Sequence, residues 1–426
     1  MDSNKFNKHR AEVMNKKISV HHIGGRKSGP AFPTLASFEK DIINVLYDAD
    51  EECIEQIKQI NDKGDAELYV FPYCFSDLLS SSTFNINYDP YTSSLYKFNP
   101  YYKSHYYFDG VTDYVFGETC KTMEEREVDL VTLDHLFHQV GDVPKPDFLS
   151  LDTQGSEWDI LTGGQETLKS SVLAIGLEVE FHPLYQGQKL FGDISHLLFS
   201  LGFQFVKFEY LGISSPYRAA VGLRGDGFQT SGDALYFKKI EHINGESEID
   251  HFFMLQKMAF IAIAYNQFEY GLQCLEMSKE LGLRSHLSTE EFEVKISYCK
   301  FLRDLQREIE RTPKYFPMTF AESCTTFEAS KSRFKASVNT QARWSVKEWL
   351  RKIPILFGIL KKMKLMVMHV KASFSRNNVI LFIRICCVLR RYSMVEKVLL
   401  KYGLKKQADC LLKNRLIQSK YVQSKQ

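Results

Sequence analysis

Between Ile18 and Lys239 short apolar runs alternate with helical periodicities, and turn residues punctuate the changes. Ile18 to Ile23 (ISVHHI) alternates as a half-buried strand does and runs into Gly24-Gly25-Arg26-Lys27-Ser28-Gly29-Pro30. Asn44 to Tyr47 is a second short strand ending on Asp48-Ala49-Asp50. Ile54, Ile57 and Ile60 then mark one face of a helix. Glu67 to Phe71 gives a third strand, and Val128 to Leu133 alternates cleanly into Asp134. The stretch from Pro146 to Gly164, PDFLSLDTQGSEWDILTGG, reads as buried strand, tight turn and short helix with a glycine stop. Leu173 to Phe181 is a long apolar strand carrying Glu178 and Glu180. Asp193 to Leu201 is an amphipathic helix stopped by Gly202, and Phe203 to Gly212 and Gly232 to Lys239 are the last strands. Strands alternating with helices in this way predict one doubly wound α/β domain over residues 18–240, preceded by a frayed polar segment, 1–17.

From Glu241 the strand signals stop. Residues 241–330 hold two helices joined near Asn266-Gln267, with Gly282 as a stop, a weak likeness to one helical-repeat unit. Residues 331–426 combine apolar helical faces with Lys/Arg clusters. Of the chain's 54 Lys/Arg, 23 lie in this tail, against 3 of its 52 Asp/Glu. The balance is +20 there and −18 in the first 330 residues, although the net charge of the whole is +2. An acidic body with a basic helical tail suits peripheral contact with an anionic membrane surface or docking on a protein partner. Phosphate-rich nucleic acid would be repelled by the acidic half, and no RNP-type motif is present. The opening residues lack an apolar signal region, and the nine cysteines form no CxxC pair. Both point to a reducing cytoplasm, with any membrane contact at the inner surface. No metal site is expected, because His21 and His22 are adjacent rather than spaced as ligands.

The candidate chemistry sits at strand ends. A carboxylate at the carboxyl end of a strand in such a sheet points into the crevice where these folds bind ligands, which singles out Asp152; capping the next helix is the plainer use of Asp. Asp48 or Asp50, about 20 residues beyond a Gly-rich first turn, stands where a ribose diol is gripped in nucleoside-binding folds. Glycines after the first strand let a ligand approach the backbone closely, although this run is not GxGxxG. Glu178 and Glu180 on one face of a buried strand are costly unless paired or directed at a site. The tyrosine-rich span from Phe84 to Phe108, with Ser93 and Ser94 inside it, reads as an ordered loop able to stack on rings or sugars, or as a satellite packing layer.

VDLVTLDHLF, DFLSLDTQGSEWDILTGG, LEVEFHPLYQGQKLF and GDALYF, in this order and spacing over residues 18–240, resemble the FkbM-type S-adenosylmethionine-dependent methyltransferases. The resemblance implies a Rossmann-like sheet with S-adenosyl-L-methionine over the carboxyl ends of its strands. By position it puts Gly24 and Gly25 beside the methionine and ribose, Asp48 (with Asp50 close by) on the ribose hydroxyls, and Ser76 and Asp77 near the adenine. Asp152 and Gln154 would lie near the sulfonium and the acceptor oxygen. The chain departs from the family's first-strand acid and G-x-G, having HHIGGRKSG instead. The implied activity is O-methylation of a hydroxyl on a sugar, a polysaccharide precursor or a related metabolite. Asp152 or His182 would act as base, and Ser93, Ser94, Glu178, Glu180 and Tyr185 would contact the acceptor. Two other readings stand beside it: a non-catalytic scaffold on a degenerate methyltransferase fold, and an RNA methyltransferase steered by the basic tail.

Overall fold

The computed structural model describes residues 16–24, 32–33, 35–49, 54, 67–103, 107–108, 114–140, 143–214, 227–285, 296–310 and 397–405. Gly25, Asp50, most of the helix expected over 51–60 and nearly all of the basic tail lie outside them. The chain divides into two compact units, residues 1–306 with 398–410, and residues 307–397 with 411–426. The sheet lies in the first.

Twelve strands are described: β1 (Ile18–Gly24), β2 (Ile42–Tyr47), β3 (Glu67–Phe71), β4 (Cys74–Phe75), β5 (Ser80–Asn87), β6 (Tyr107–Phe108), β7 (Tyr114–Val115), β8 (Thr122–Val131), β9 (Phe148–Asp152), β10 (Ala174–Glu180), β11 (Phe203–Ser214) and β12 (Phe228–Lys238). Seven of them form one sheet in the order β11-β12-β10-β9-β1-β2-β3. Pairings from β10 through β3 are parallel, while β12 runs antiparallel to both β10 and β11. From β1 the chain winds outward one way to β2 and β3, then returns to build β9 and β10 on the other side. The crevice between β1 and β9 is therefore the topological switch point, where open α/β sheets take their ligands. This mixed α/β architecture with a mostly parallel sheet is compatible with a Rossmann-like methyltransferase fold.

Parallel strands bury both faces, so their sequences are nearly continuously apolar, and each face needs a covering layer. On one face Ile23, Val45, Leu149, Leu151, Leu177 and Val179 pack with α1 (Glu157–Thr162), α2 (Gln165–Ser170) and α3 (Phe191–Ser200) through Ile160, Leu161, Leu168, Ile194 and Leu198. His21 belongs to this layer. It is fully buried, bonded to Ser19 Oγ at 2.8 Å and Tyr47 Oη at 3.0 Å, and burial pulls its pKa down to about 3. On the other face lie α4 (Glu248–Ala264) and α5 (Phe268–Arg284). Tyr265, after α4, stacks on Phe148 with ring centroids 5.7 Å apart, and Phe260 meets Phe38 edge-on. The helices beyond residue 240 thus continue the unit that holds the sheet. Their junction falls at Asn266, as expected, in the left-handed region (φ +63°). Gly282 does not stop α5, which runs on to Arg284.

Val128–Leu133 differs from expectation in its partners. Residues 128–131 end the longer β8, which pairs with β4 and β5 in a separate three-stranded sheet, while Thr132 caps a short helix that Leu133 begins. The tyrosine-rich span begins in this small sheet, Phe84 to Asn87 lying in β5. Among the described residues no helix is long and apolar enough to cross a membrane.

Candidate functional site

Parallel pairing of β1 with β9 sets Gly24 opposite Asp152. Gly24 has φ +76°, and a β-carbon there would lie 2.1 Å from the Asp152 carbonyl oxygen, so only glycine fits. Asp48 follows β2, its backbone N–H donating to Phe71 O at 3.3 Å. A pocket of about 600 Å³, open mouth included, lies over these strand ends. Its polar walls are Gly24, Asp48, Ser93, Asp152 and Gln154, and its apolar walls include Phe75, Tyr91 and Leu95. Among the described residues no Lys or Arg lines it. A cavity walled by two carboxylates and by aromatic rings suits a positively charged, ring-bearing ligand better than a phosphate.

The turn after β9 is built by its own side chains. Gln154 has φ +57° and Gly155 φ +111°, so the chain reverses tightly between β9 and α1. Glu157 folds back beneath the turn, accepting from Thr153 N at 2.7 Å, Thr153 Oγ1 at 2.9 Å and Gly155 N at 3.0 Å. It is 2% exposed, and burial, with Asp152 nearby, pushes its carboxyl up to about 7. Gly163 caps α1 as expected, its N–H donating to Asp159 O at 2.8 Å, and it answers a second constraint as well. Gly163 has an ordinary φ of −76°, and a β-carbon there would meet Ser76 O at 2.2 Å. It is glycine because the segment after β4 passes against it.

Behind the pocket the carboxylates accumulate. Glu178 stands on β10 next to Asp152's strand, and Asp233 of β12 is its cross-strand partner. Burial and the surrounding Asp152, Glu180 and Glu157 hold Glu178 well above the usual carboxylate range. Glu180 is held up likewise by burial and Glu157, and Asp233 rises to about 6 through burial and Asp152. None of these five carboxylates has an ion-pair partner among the described residues. Gln154 joins two of them: its Nε2 donates to Asp152 Oδ1 at 2.8 Å and to Glu178 Oε2 at 2.7 Å. Among the described residues, no three His, Cys, Asp or Glu are grouped to hold a metal ion.

The residues singled out in the sequence fall into three groups. Gly24, Asp48, Ser93, Asp152 and Gln154 share the pocket wall. Ser94, Glu178, Glu180 and Tyr185 lie in the wall's support: Ser94 and Tyr185 have no exposed surface, Glu178 receives Gln154 Nε2, and Tyr185 Oη bonds Gln154 Oε1 and Thr92 O. Ser76, Asp77 and His182 stand apart from the lining. Ser76 is buried against Gly163, Asp77 is exposed, and His182 sits in a turn against the rings of Tyr102 and Phe228. Gly25 and Asp50 are outside the described residues. Glu157 and Asp233 went unnoticed in the sequence. The spacing D-x-x-G-x-E could have flagged Glu157, and alternation along β12 could have placed Asp233 beside the glutamates.

The model of the methyltransferase FkbM domain matches residues 66–205, a narrower span than the resemblance in the sequence suggested. The match contains Asp152, Gln154 and Glu178, while Gly24 and Asp48 lie before it and join the same pocket through the sheet. No curated protein and no solved structure matches the chain.

Proposed function

We propose that this domain is an S-adenosylmethionine-dependent methyltransferase acting on a hydroxyl acceptor, most simply that of a sugar or related metabolite. The carrying observation is the pocket at the β1–β9 switch point, which brings Gly24, Asp48 and Asp152 into one wall. The cofactor supplies a methyl group activated on a sulfonium. The residues present fit it: Asp48 is an acceptor placed for the paired hydroxyls of a ribose, and an ionised carboxylate suits two such donors. Gly24 lets the backbone approach closely. Asp152 offsets positive charge and stands where it can take the proton an alcohol must lose. Phe75, Tyr91 and Leu95 supply apolar walls for a ring. Tyr91, 54% exposed at the rim, adds an aromatic face with a polar tip, which suits a sugar. The base's role is given to Asp152 here because it lines the pocket, which His182 does not.

The test is calorimetric titration of the full chain with S-adenosylmethionine, S-adenosylhomocysteine and, as a phosphate-bearing comparison, ADP. The reading expects both adenosyl ligands to bind and ADP to fail. ADP binding in place of them would overturn it.

A further inference from the structure

Gln154 is committed on both polar atoms of its side chain and on its backbone oxygen. Besides the two carboxyl oxygens that receive its Nε2 hydrogens, its Oε1 lies 3.1 Å from Tyr185 Oη, and its backbone oxygen accepts from Ser94 Oγ at 2.7 Å. The reversed amide would set Oε1 against two carboxyl oxygens, so the orientation is fixed by its partners. Its left-handed backbone is one that a residue with a long side chain adopts rarely and keeps only when its surroundings impose it. A side chain so occupied has nothing left to offer a cofactor without breaking protein contacts.

The bridge has a consequence for protons. One NH2 group donating to both Asp152 Oδ1 and Glu178 Oε2 makes both oxygens acceptors, so a proton retained by the pair must sit on one of the other two oxygens. The groups facing the pair favour retention: Glu180 on the same strand, Glu157 from α1, Asp233 across on β12 and the Tyr185 hydroxyl, with no Lys or Arg among the described residues. Glu178 lies behind the pocket lining and Asp152 is part of it, so Glu178 is the natural holder. On its other side Gln154 meets the rim. Tyr185 Oη shares its proton between Gln154 Oε1 and Thr92 O, and Thr92 ends the short turn that carries Tyr91.

We propose that Gln154 is a positioning residue that holds Asp152 and Glu178 as a pair sharing one proton and ties that pair to the pocket rim at Thr92 and Ser94. The use of this pair in methyl transfer rests on the function proposed above; the pairing itself does not. Asp152 is the carboxylate that faces the ligand, and Glu178 is the acid that keeps the second charge out of the site.

The experiment compares the full chain with Gln154→Asn and Tyr185→Phe. Asn tolerates the left-handed backbone but is one methylene too short to bridge both carboxyls. S-Adenosylmethionine, a sulfonium, and S-adenosylhomocysteine, a neutral thioether, are titrated calorimetrically across roughly pH 5 to 9, the range that brackets a raised carboxyl pKa. Wild type should prefer the sulfonium more strongly once the pair loses its last proton. Gln154→Asn should move that step upward by about one pH unit, because a donor favouring the charged form is gone. Tyr185→Phe, a change outside the pocket lining, should move the step the same way by less and keep homocysteine-form affinity within about threefold, under about 1 kcal/mol. A step that stays put in both variants overturns the inference, as does a step that moves in Tyr185→Phe and not in Gln154→Asn. Binding of neither ligand by wild type removes the methyltransferase reading instead. The pairing is then judged by the infrared band of the protonated carboxyl, assigned with Glu178→Gln, which must shift its titration in Gln154→Asn or the inference fails.

Discussion

Two aspartates flank strand β9, Asp147 at its start and Asp152 at its end, and the protein treats them in opposite ways. Asp147 is 6% exposed, and its Oδ2 receives Lys257 Nζ at 2.7 Å and Ser19 N at 2.8 Å. Burial still raises its carboxyl, but Lys257, Ser19 and Lys16 all pull the other way. Its backbone also takes part, accepting from Leu173 N and Ala174 N and so joining β1, β9 and β10 at one point. Asp152 faces Glu178, Glu180, Glu157 and Asp233, with no cation among the described residues. A buried charge that is paired and hydrogen-bonded holds a fold together; one surrounded by like charge persists at a cost, usually because a ligand makes use of it. The same residue type on the same strand is a clamp at one end and a site at the other.

Breaking the clamp should have the largest effect. Asp147→Ala strands Lys257 in the interior and should lower unfolding free energy by about 3–5 kcal/mol, read from denaturant melts. Gly24→Ala forces a β-carbon against the Asp152 carbonyl and should cost about 2–3 kcal/mol in the same melts, and it should abolish S-adenosylhomocysteine binding. Asp48→Ala tests the site without the fold: binding should weaken at least about tenfold, ~1.4 kcal/mol, while the denaturation midpoint barely moves. Equal loss of stability in Asp48→Ala and Asp147→Ala would erase the contrast. The smallest effect concerns pH. Raised carboxyl pKa values mean that the folded state binds more protons than the unfolded chain above the ordinary carboxylate range. Stability should therefore fall as pH rises from about 4.5 through the value near 7 at Glu157, and Glu178→Gln should flatten that slope in thermal melts.

Much of the main sheet was legible in the sequence because parallel strands are apolar on both faces: β1, β2, β3, β9 and β10 were found within a few residues. The small sheet was not. β5 reads SSSTFNIN and buries Asn85 and Asn87 rather than apolar side chains, and the first half of β8 reads TMEERE and is almost wholly exposed, so only their pairing makes them strands. The site followed the same division. Gly24, Asp48 and Asp152 were visible because strand ends and glycine turns are local signals. Glu157 resembles any acidic residue in a helix's first turn, and its burial depends on how α1 packs. Ser94 and Tyr185 were singled out as acceptor contacts, and their bonds to Gln154 depend on contacts that span 60 and 31 residues of chain. The Asp147–Lys257 pair, 110 residues apart, has no local trace at all.

The most direct measurement sets Asp152→Asn beside Asp147→Asn, each examined by thermal melting and by calorimetric titration with S-adenosylmethionine. The account predicts that Asp152→Asn melts at or above the wild-type temperature, because a repelled charge is gone, and loses at least about tenfold in binding. Asp147→Asn should melt lower by several degrees and, while folded, bind as wild type does. An Asp152→Asn protein that melts early, or that binds the sulfonium as tightly as wild type, would contradict the assignment of this crevice to a cationic cofactor.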